Sequence, residues 1–224
     1  MTTALIALYP GFTALDAVGP YQMLAEAPGV TVELVAEHAG PVADDRGTLS
    51  LVAGSSWNDH AEADVVIVPG GPGTMEALRG GLVGWLQAIH PRTSWTASVC
   101  SGSLILGAAG LLRGLPATSH YLVREQLTQA GAIPVDERVV LLREERIITA
   151  AGVASGIDMA LRLVAELVGR ETAEAVQLWT EYAPEPPFSS GRPDDASEEI
   201  RRRAHDLFTH AMSARSQAAG LPGV

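Results

Sequence analysis

Short apolar runs alternate along this chain with longer stretches of helical periodicity. The runs ALIALY (4–9), VTVELVA (30–36), ADVVIVPGG (63–71) and SWTASVC (94–100) have the length and β-branched content of buried strands. Helical spacing covers 17–27, 73–90, 101–112, 119–130, 155–168 and 171–182. RVVLLREERIITAAG (138–152) reads as a strand pair turning at Glu144 and Glu145. Strand and helix in alternation predict an α/β fold, a largely parallel sheet with helices on both faces. Residues 1–192 read as the α/β body. Beyond the Pro/Gly/Ser-rich connection APEPPFSSGRP (183–193), residues 193–224 read as a C-terminal helical extension of the same domain, docked on the body or on a partner subunit; a mobile tail is the alternative.

Residues 93–112 carry no charge and are long enough to span a bilayer, but serines and glycines interrupt them. A buried strand followed by a buried helix accounts for the run, and no membrane association is expected. The formal charge of -11 leaves no basic patch for phosphates, and Arg201, Arg202 and Arg203 follow Glu198 and Glu199, so nucleic acid is not an expected partner. No lysine occurs, which excludes Schiff-base chemistry and a phosphate-loop lysine. A single cysteine forms no intramolecular disulfide, and MTTALIALYP lacks the marks of a signal peptide, so the expected location is a reducing cytoplasm.

Chemistry concentrates at three turns that follow strands. In SVCSG, Cys100 ends a β-rich run and Gly102 relieves the crowding of a sharp strand-to-helix turn, the geometry of a nucleophile elbow. Ser98 stands where such elbows usually have glycine. A helix N-terminus is expected to lower the thiol pKa; the alternative is an inert core cysteine. In VPGGPGT (68–74), Gly70 and Gly71 can point N–H groups at an oxyanion, or form a tight turn without a ligand. In YPGFTALDAVGPYQML (9–24), Asp16 starts a helix on the same sheet edge, as an N-cap or as part of a site. His120, in ATSHYLV, lies at another loop-to-helix junction and either approaches Cys100 or serves as a cap or surface residue. The six histidines show no paired ligand spacing, and no metal is expected.

Taken together, PGFTALDAVGPYQ, DVVIVPGGPGT, SVCSGSLILGAAGLL, ATSHY and AAGVASGIDMAL resemble the ThiJ/PfpI superfamily, and within it the isonitrile (isocyanide) hydratases. The resemblance implies a flavodoxin-like three-layer α/β sandwich, a homodimer, and an enzyme without metal or organic cofactor. It assigns the nucleophile to Cys100, its acid/base partner to Asp16, and the residue after the nucleophile to Ser101. A histidine after the nucleophile, typical of the proteases, is absent, as is the helix-turn-helix of regulator relatives. The implied reaction adds water to a small-molecule isocyanide through a Cys100 thioimidate, with N–H groups of Gly71 and Ser101 meeting developing charge. Phe12, Tyr21 and Trp179 are candidates for an apolar wall that raises the Asp16 pKa. Rival readings are a glyoxalase-like or deglycating cysteine hydrolase and a non-catalytic redox sensor with an exposed thiolate.

Overall fold

The structure, a computed structural model, describes residues 1–218; the last six residues of the expected extension lie outside the described residues. In chain order the elements are β1 (Thr2–Ala7), α1 (Ala14–Ala25), β2 (Val30–Ala36), β3 (Gly40–Ala43), β4 (Ser50–Ala53), β5 (Ser55–Ser56), β6 (Val65–Val68), α2 (Thr74–Ala77), α3 (Leu82–Ile89), β7 (Trp95–Val99), α4 (Gly102–Ala108), β8 (Pro116–Ala117), β9 (Ile133–Pro134), β10 (Val139–Leu142), β11 (Ile147–Ala150), α5 (Ser155–Val168), α6 (Arg170–Trp179) and α7 (Glu198–Ala218). The main sheet has the order β10-β11-β7-β6-β1-β2-β5, parallel except for β10 against β11.

The central strands β6 (VVIV) and β7 (WTASV) are buried from end to end because both faces of the sheet are covered there. Helices α1, α5 and α6 pack together on one face, while α2 and α3 meet α4 on the other. The buried side of α5 repeats Met159, Ala160, Leu163 and Val164 at helical spacing, and Gly169 at φ +102 separates α5 from α6. The result is the flavodoxin-like three-layer sandwich that the motifs implied. From the central β1 the chain steps to β2 on one side, and from β6 to β7 on the other. The C-terminal ends of β1 and β6 therefore flank the crevice where open α/β sheets hold ligands.

Some expected elements change shape. The helix expected over 73–90 is two, α2 and α3, parted at Gly80 and Gly81, where backbone freedom disfavours helix. The helix expected over 101–112 ends at Ala108, and 119–130 is turn followed by a tighter 3-10 segment, Arg124–Ala130. The hairpin β3–β4 was not anticipated, because half the residues of its four-residue strands are exposed and one strand contains Pro41. Among the described residues no helix is long and apolar enough to cross a membrane.

Candidate active site

β7 passes into α4 through Cys100 and Ser101 alone. Cys100 sits at φ +58, the left-handed region that a β-carbon disfavours, and its N–H is held by the carbonyls of Ala150 (3.1 Å) and Ala151 (2.9 Å). This is the sharp turn that SVCSG predicts. Gly102 answers a close approach, since a β-carbon there would stand 2.2 Å from the Val68 carbonyl oxygen. Ser98, the departure from the usual elbow pattern, is buried, and its hydroxyl bonds to that of Ser103 at 2.9 Å. Ser103 donates to the Thr118 carbonyl at 2.7 Å, and Ser119 donates to the Cys100 carbonyl at 2.8 Å, so the elbow is clamped from outside.

Asp16 is the third residue of α1, whose N-cap is Thr13, so the capping alternative does not hold. It is fully buried, and the Gly70 N–H donates to its Oδ2 at 2.9 Å. Oδ1 has no partner in hydrogen-bonding geometry, while the Cys100 side chain lies beside the carboxyl. Burial pushes this carboxyl up from 3.8 to about 7; the Gly70 N–H and Cys100 oppose the rise, and the charge of Asp45 adds to it. Burial likewise pushes the Cys100 thiol up, reinforced by the Asp16 charge and opposed by the N–H groups of Val153 and Ser101 and by the Ser101 hydroxyl. The helix N-terminus alone would lower it, but desolvation outweighs that dipole. Near neutral pH, thiol and carboxylate thus hold one proton between them, with a second within reach of the carboxylate.

The glycine turn is built for this pair. The Gly70 carbonyl accepts from the Thr13 N–H (2.8 Å), and the Gly73 N–H donates to the Gly11 carbonyl (3.0 Å), which ties the turn to the loop carrying Asp16. A β-carbon at Gly70 would stand 2.4 Å from the Ser101 nitrogen and 2.9 Å from the Cys100 β-carbon. The expectation that Gly70 and Gly71 offer N–H groups to an oxyanion needs correction. Gly70 spends its N–H on Asp16, and Gly71 donates to the Ser101 hydroxyl at 2.9 Å. Only the Ser101 N–H of that expected set faces the sulfur. The Ser101 hydroxyl also lies 2.8 Å from Thr74 Oγ1, which is 3.1 Å from the Tyr9 hydroxyl, itself donating to the Pro69 carbonyl at 2.8 Å.

A cavity of about 430 Å³ opens over the sulfur, lined on its apolar side by Met75, Leu104, Val123, Phe208 and Met212. His120 shares this cavity with Cys100, so the structure brings the two to one site. Its Nδ1 accepts the Leu122 N–H at 3.3 Å, its ring stacks on Phe208 at 6.3 Å, and burial lowers its pKa. A neutral ring forming a wall follows from those contacts. Phe12 is fully buried, but Tyr21 and Trp179 are 39% and 74% exposed, and Trp179 bonds to Glu26, so neither forms the expected apolar wall. Sequence reasoning missed Asp45 and Arg46, which reach the cavity from the β3–β4 hairpin, and the α7 residues that close it; their spacing alone carries no mark of a site. Among the described residues no cluster of three or more His, Cys, Asp or Glu side chains is arranged to hold a metal.

Comparison with known proteins agrees with this geometry. The chain is 43% identical over 202 residues to an isonitrile hydratase of Pseudomonas putida, which covers 88% of this chain and 87% of that protein. It is 29% identical over 114 residues to a glutathione-independent glyoxalase of Caenorhabditis elegans, covering 50% of this chain and 60% of the other. The crystal structure of a ThiJ/PfpI family protein from Pseudomonas syringae matches with a TM-score of 0.88 at 38% identity, covering 94% of this chain and 87% of that one. A family model described as the DJ-1/PfpI family matches residues 2–166, the stretch from β1 into α5 that includes Asp16, Gly70, Cys100 and Ser101. With fold, elbow and sequence in agreement, the chain belongs to the DJ-1/PfpI family.

Proposed function

We propose that this protein is an isonitrile hydratase that converts an isocyanide and water into an N-substituted formamide, with Cys100 as nucleophile and Asp16 as acid/base. The observation that carries the reading is the buried pair itself: a thiol beside a carboxyl raised to about 7. The similarity to the Pseudomonas putida hydratase supports it. An isocyanide must receive a nucleophile and a proton at one carbon, and two adjacent groups sharing a proton supply both.

In the reactive pair the Asp16 carboxylate takes the thiol proton. It passes that proton to the terminal carbon as sulfur bonds to the same carbon, giving the thioimidate R–N=CH–S–Cys100. The carboxylate then takes a proton from water as the water oxygen bonds to that carbon and the C=N electron pair moves to nitrogen. Asp16 hands this proton to nitrogen. It next takes the proton of the new hydroxyl, the C–S bond breaks, and the thiolate recovers the proton as the formamide R–NH–CHO leaves. The Ser101 N–H, directed at sulfur, stabilises the departing thiolate. The cavity lining of Met75, Leu104, Val123, Phe208 and Met212 suits an alkyl or aryl substituent.

The glyoxalase-like reading is supported by the partial match to the nematode glyoxalase, since the same thiol can add to an aldehyde. A redox sensor fits less well: Cys100 is 7% exposed and its thiol is raised, the opposite of an accessible thiolate. The test is a panel of alkyl and aryl isocyanides assayed for formamide, beside methylglyoxal assayed for loss. The wild type is expected to form formamide and Cys100→Ala to form none. Full activity in Cys100→Ala overturns the mechanism, and methylglyoxal consumption without formamide moves the assignment to the second reading.

A further inference from the structure

We propose that Arg46 is a specificity-determining residue that selects isocyanides whose substituent carries a carboxylate; the inference rests on the hydratase reading and names the substrate class of that site. Arg46 lines the Cys100 cavity from the connection between β3 and β4, and that connection is tied to the body by backbone bonds. The Gly11 N–H donates to the Ala43 carbonyl (3.0 Å) and the Asp45 N–H to the Phe12 carbonyl (2.9 Å), so the hairpin runs along the loop that leads into α1 and Asp16. Asp44 is buried, and its Oδ1 accepts the N–H groups of Arg46 (3.2 Å) and Leu49 (3.3 Å). The Asp44 N–H closes the turn on the Leu49 carbonyl at 2.9 Å, and Gly47 at φ +70 takes the reversal that a β-carbon would resist. A buried carboxylate is thus committed to the backbone on either side of the turn, and the Arg46 side chain is presented to the cavity from a fixed base.

The guanidinium is the one cation in that lining, since burial holds His120 neutral. Among the described residues no carboxylate pairs with it, whereas Arg124, Arg138, Arg143, Arg170, Arg202 and Arg203 each have an acidic partner. The other formal charge in the lining, Asp45, acts on Asp16. Arg46 is exposed, so the site combines a buried thiol, largely apolar walls and a guanidinium on the solvent side. A ligand that answers all three has an isocyano carbon at the sulfur, an apolar body and one negative charge directed outward. The planar guanidinium matches a carboxylate with two parallel N–H donors. A phosphate, at about -1.5 to -2 near neutral pH, exceeds what one guanidinium next to Asp45 can balance. The chain as a whole carries a formal charge of -11 and repels anions at long range, so a preference for an anionic substrate has to arise at a local cation.

The test compares 4-isocyanobenzoate with its methyl ester, which share the ring and the reacting group and differ by one charge. The wild type is expected to favour the acid about fivefold in kcat/KM at low salt, through KM, as suits an exposed charge pair. Most of that preference should vanish at about 1 M salt, where the Debye length is about 3 Å. Arg46→Gln is expected to bring the acid-to-ester ratio to about one or below, Arg46→Glu to reverse it, and Arg46→Lys to keep part of it, since the charge stays while the fork is lost. A wild type that favours the ester, or a ratio unchanged in Arg46→Gln, overturns the proposal. A second readout needs no turnover: 4-formamidobenzoate and its methyl ester are compared as protectors of Cys100 against iodoacetamide, which reports on one thiol because the chain has one cysteine. The acid is expected to protect at about fivefold lower concentration in the wild type and to lose that advantage in Arg46→Gln. A wild type that forms formamide from neither isocyanide removes the hydratase reading, and equal protection by acid and ester removes the role of Arg46, so the two failures are told apart.

Discussion

The two walls of the Cys100 cavity are made in different ways. On the sheet-edge wall, Thr74, Cys100 and Ser101 are buried, with Asp16 fully buried behind them, and each is held by neighbours that leave it little freedom. The opposite wall comes from α7, whose Phe208, Ala211 and Met212 face the cavity while its outer side carries exposed pairs of Glu199 with Arg202 and Arg203. Exposed pairs of this kind contribute little to stability, because water screens them. Proton transfer between sulfur, carboxyl and substrate demands sub-ångström placement, which strand ends tied by crossing backbone bonds can supply. A substituent of variable shape demands only apolar area, which a helix on the rim can supply. If that division holds, substitutions on the first wall strike turnover, and those on the second strike substrate preference.

The largest effect is expected at Asp16. Asp16→Asn keeps an oxygen for the Gly70 N–H but removes the shuttle, so hydration is expected to fall by about 100-fold or more. The same change should stabilise the protein at alkaline pH. The wild-type carboxyl rises from 3.8 to about 7 on folding, so between those values the folded chain binds more protons than the unfolded one. Stability is then lost as pH rises through that window, and above it the wild type bears a cost of about 4 kcal/mol at most, at ~1.36 kcal/mol per unit. Thermal melts of both proteins from pH 4 to pH 8 should show the variant gaining on the wild type with rising pH, and a constant difference would refute the linkage. In the wild type, hydration should climb as pH passes about 7, where Asp16 becomes able to accept the thiol proton.

Next in size is Gly70→Ala, which probes how tightly the first wall is placed. Its new β-carbon would meet the Ser101 nitrogen at 2.4 Å and the Cys100 β-carbon at 2.9 Å, backbone and elbow rather than a flexible side chain. Destabilisation of roughly 1–3 kcal/mol is expected from overpacking, with a loss of turnover beyond it because the Gly70 N–H leaves Asp16. Denaturant unfolding beside the isocyanide assay separates the two. An unchanged turnover would show that the wall tolerates displacement.

The difference between the walls also governs how much was legible in the sequence. SVCSG, VPGGPGT and the Asp16 loop announce themselves because a strained turn admits few residue types, so composition and position coincide. The alternation of runs gave the sheet for the same reason, and α5 was read to the residue, since its apolar spacing is uninterrupted. What could not be read were directions of hydrogen bonds. That Gly70 serves Asp16 and not an oxyanion depends on where its N–H points, and a glycine leaves no trace of that in the sequence. The thiol was misjudged because the helix N-terminus is a local feature and burial is not. α7 was legible as a helix, but its facing residues Phe208, Ala211 and Met212 recur at ordinary amphipathic spacing, which says nothing of what they cover.

The smallest effect, and the one that bears most directly on the second wall, is expected at Phe208. Its ring stacks on His120 and lines the cavity, with centroids 6.3 Å apart and planes 13° from parallel. Phe208→Ala removes one face of the space for the substituent while leaving the row from Tyr9 to Ser101 and the Cys100–Asp16 pair untouched. For a bulky aryl isocyanide, KM is expected to rise about three- to tenfold with kcat nearly unchanged, as lost uniform binding requires. For a small alkyl isocyanide, which reaches the sulfur without filling the cavity, both constants should stay close to the wild type. A fall in kcat for both substrates would mean that α7 helps to hold the reacting groups, and the two walls would then be one machine rather than two.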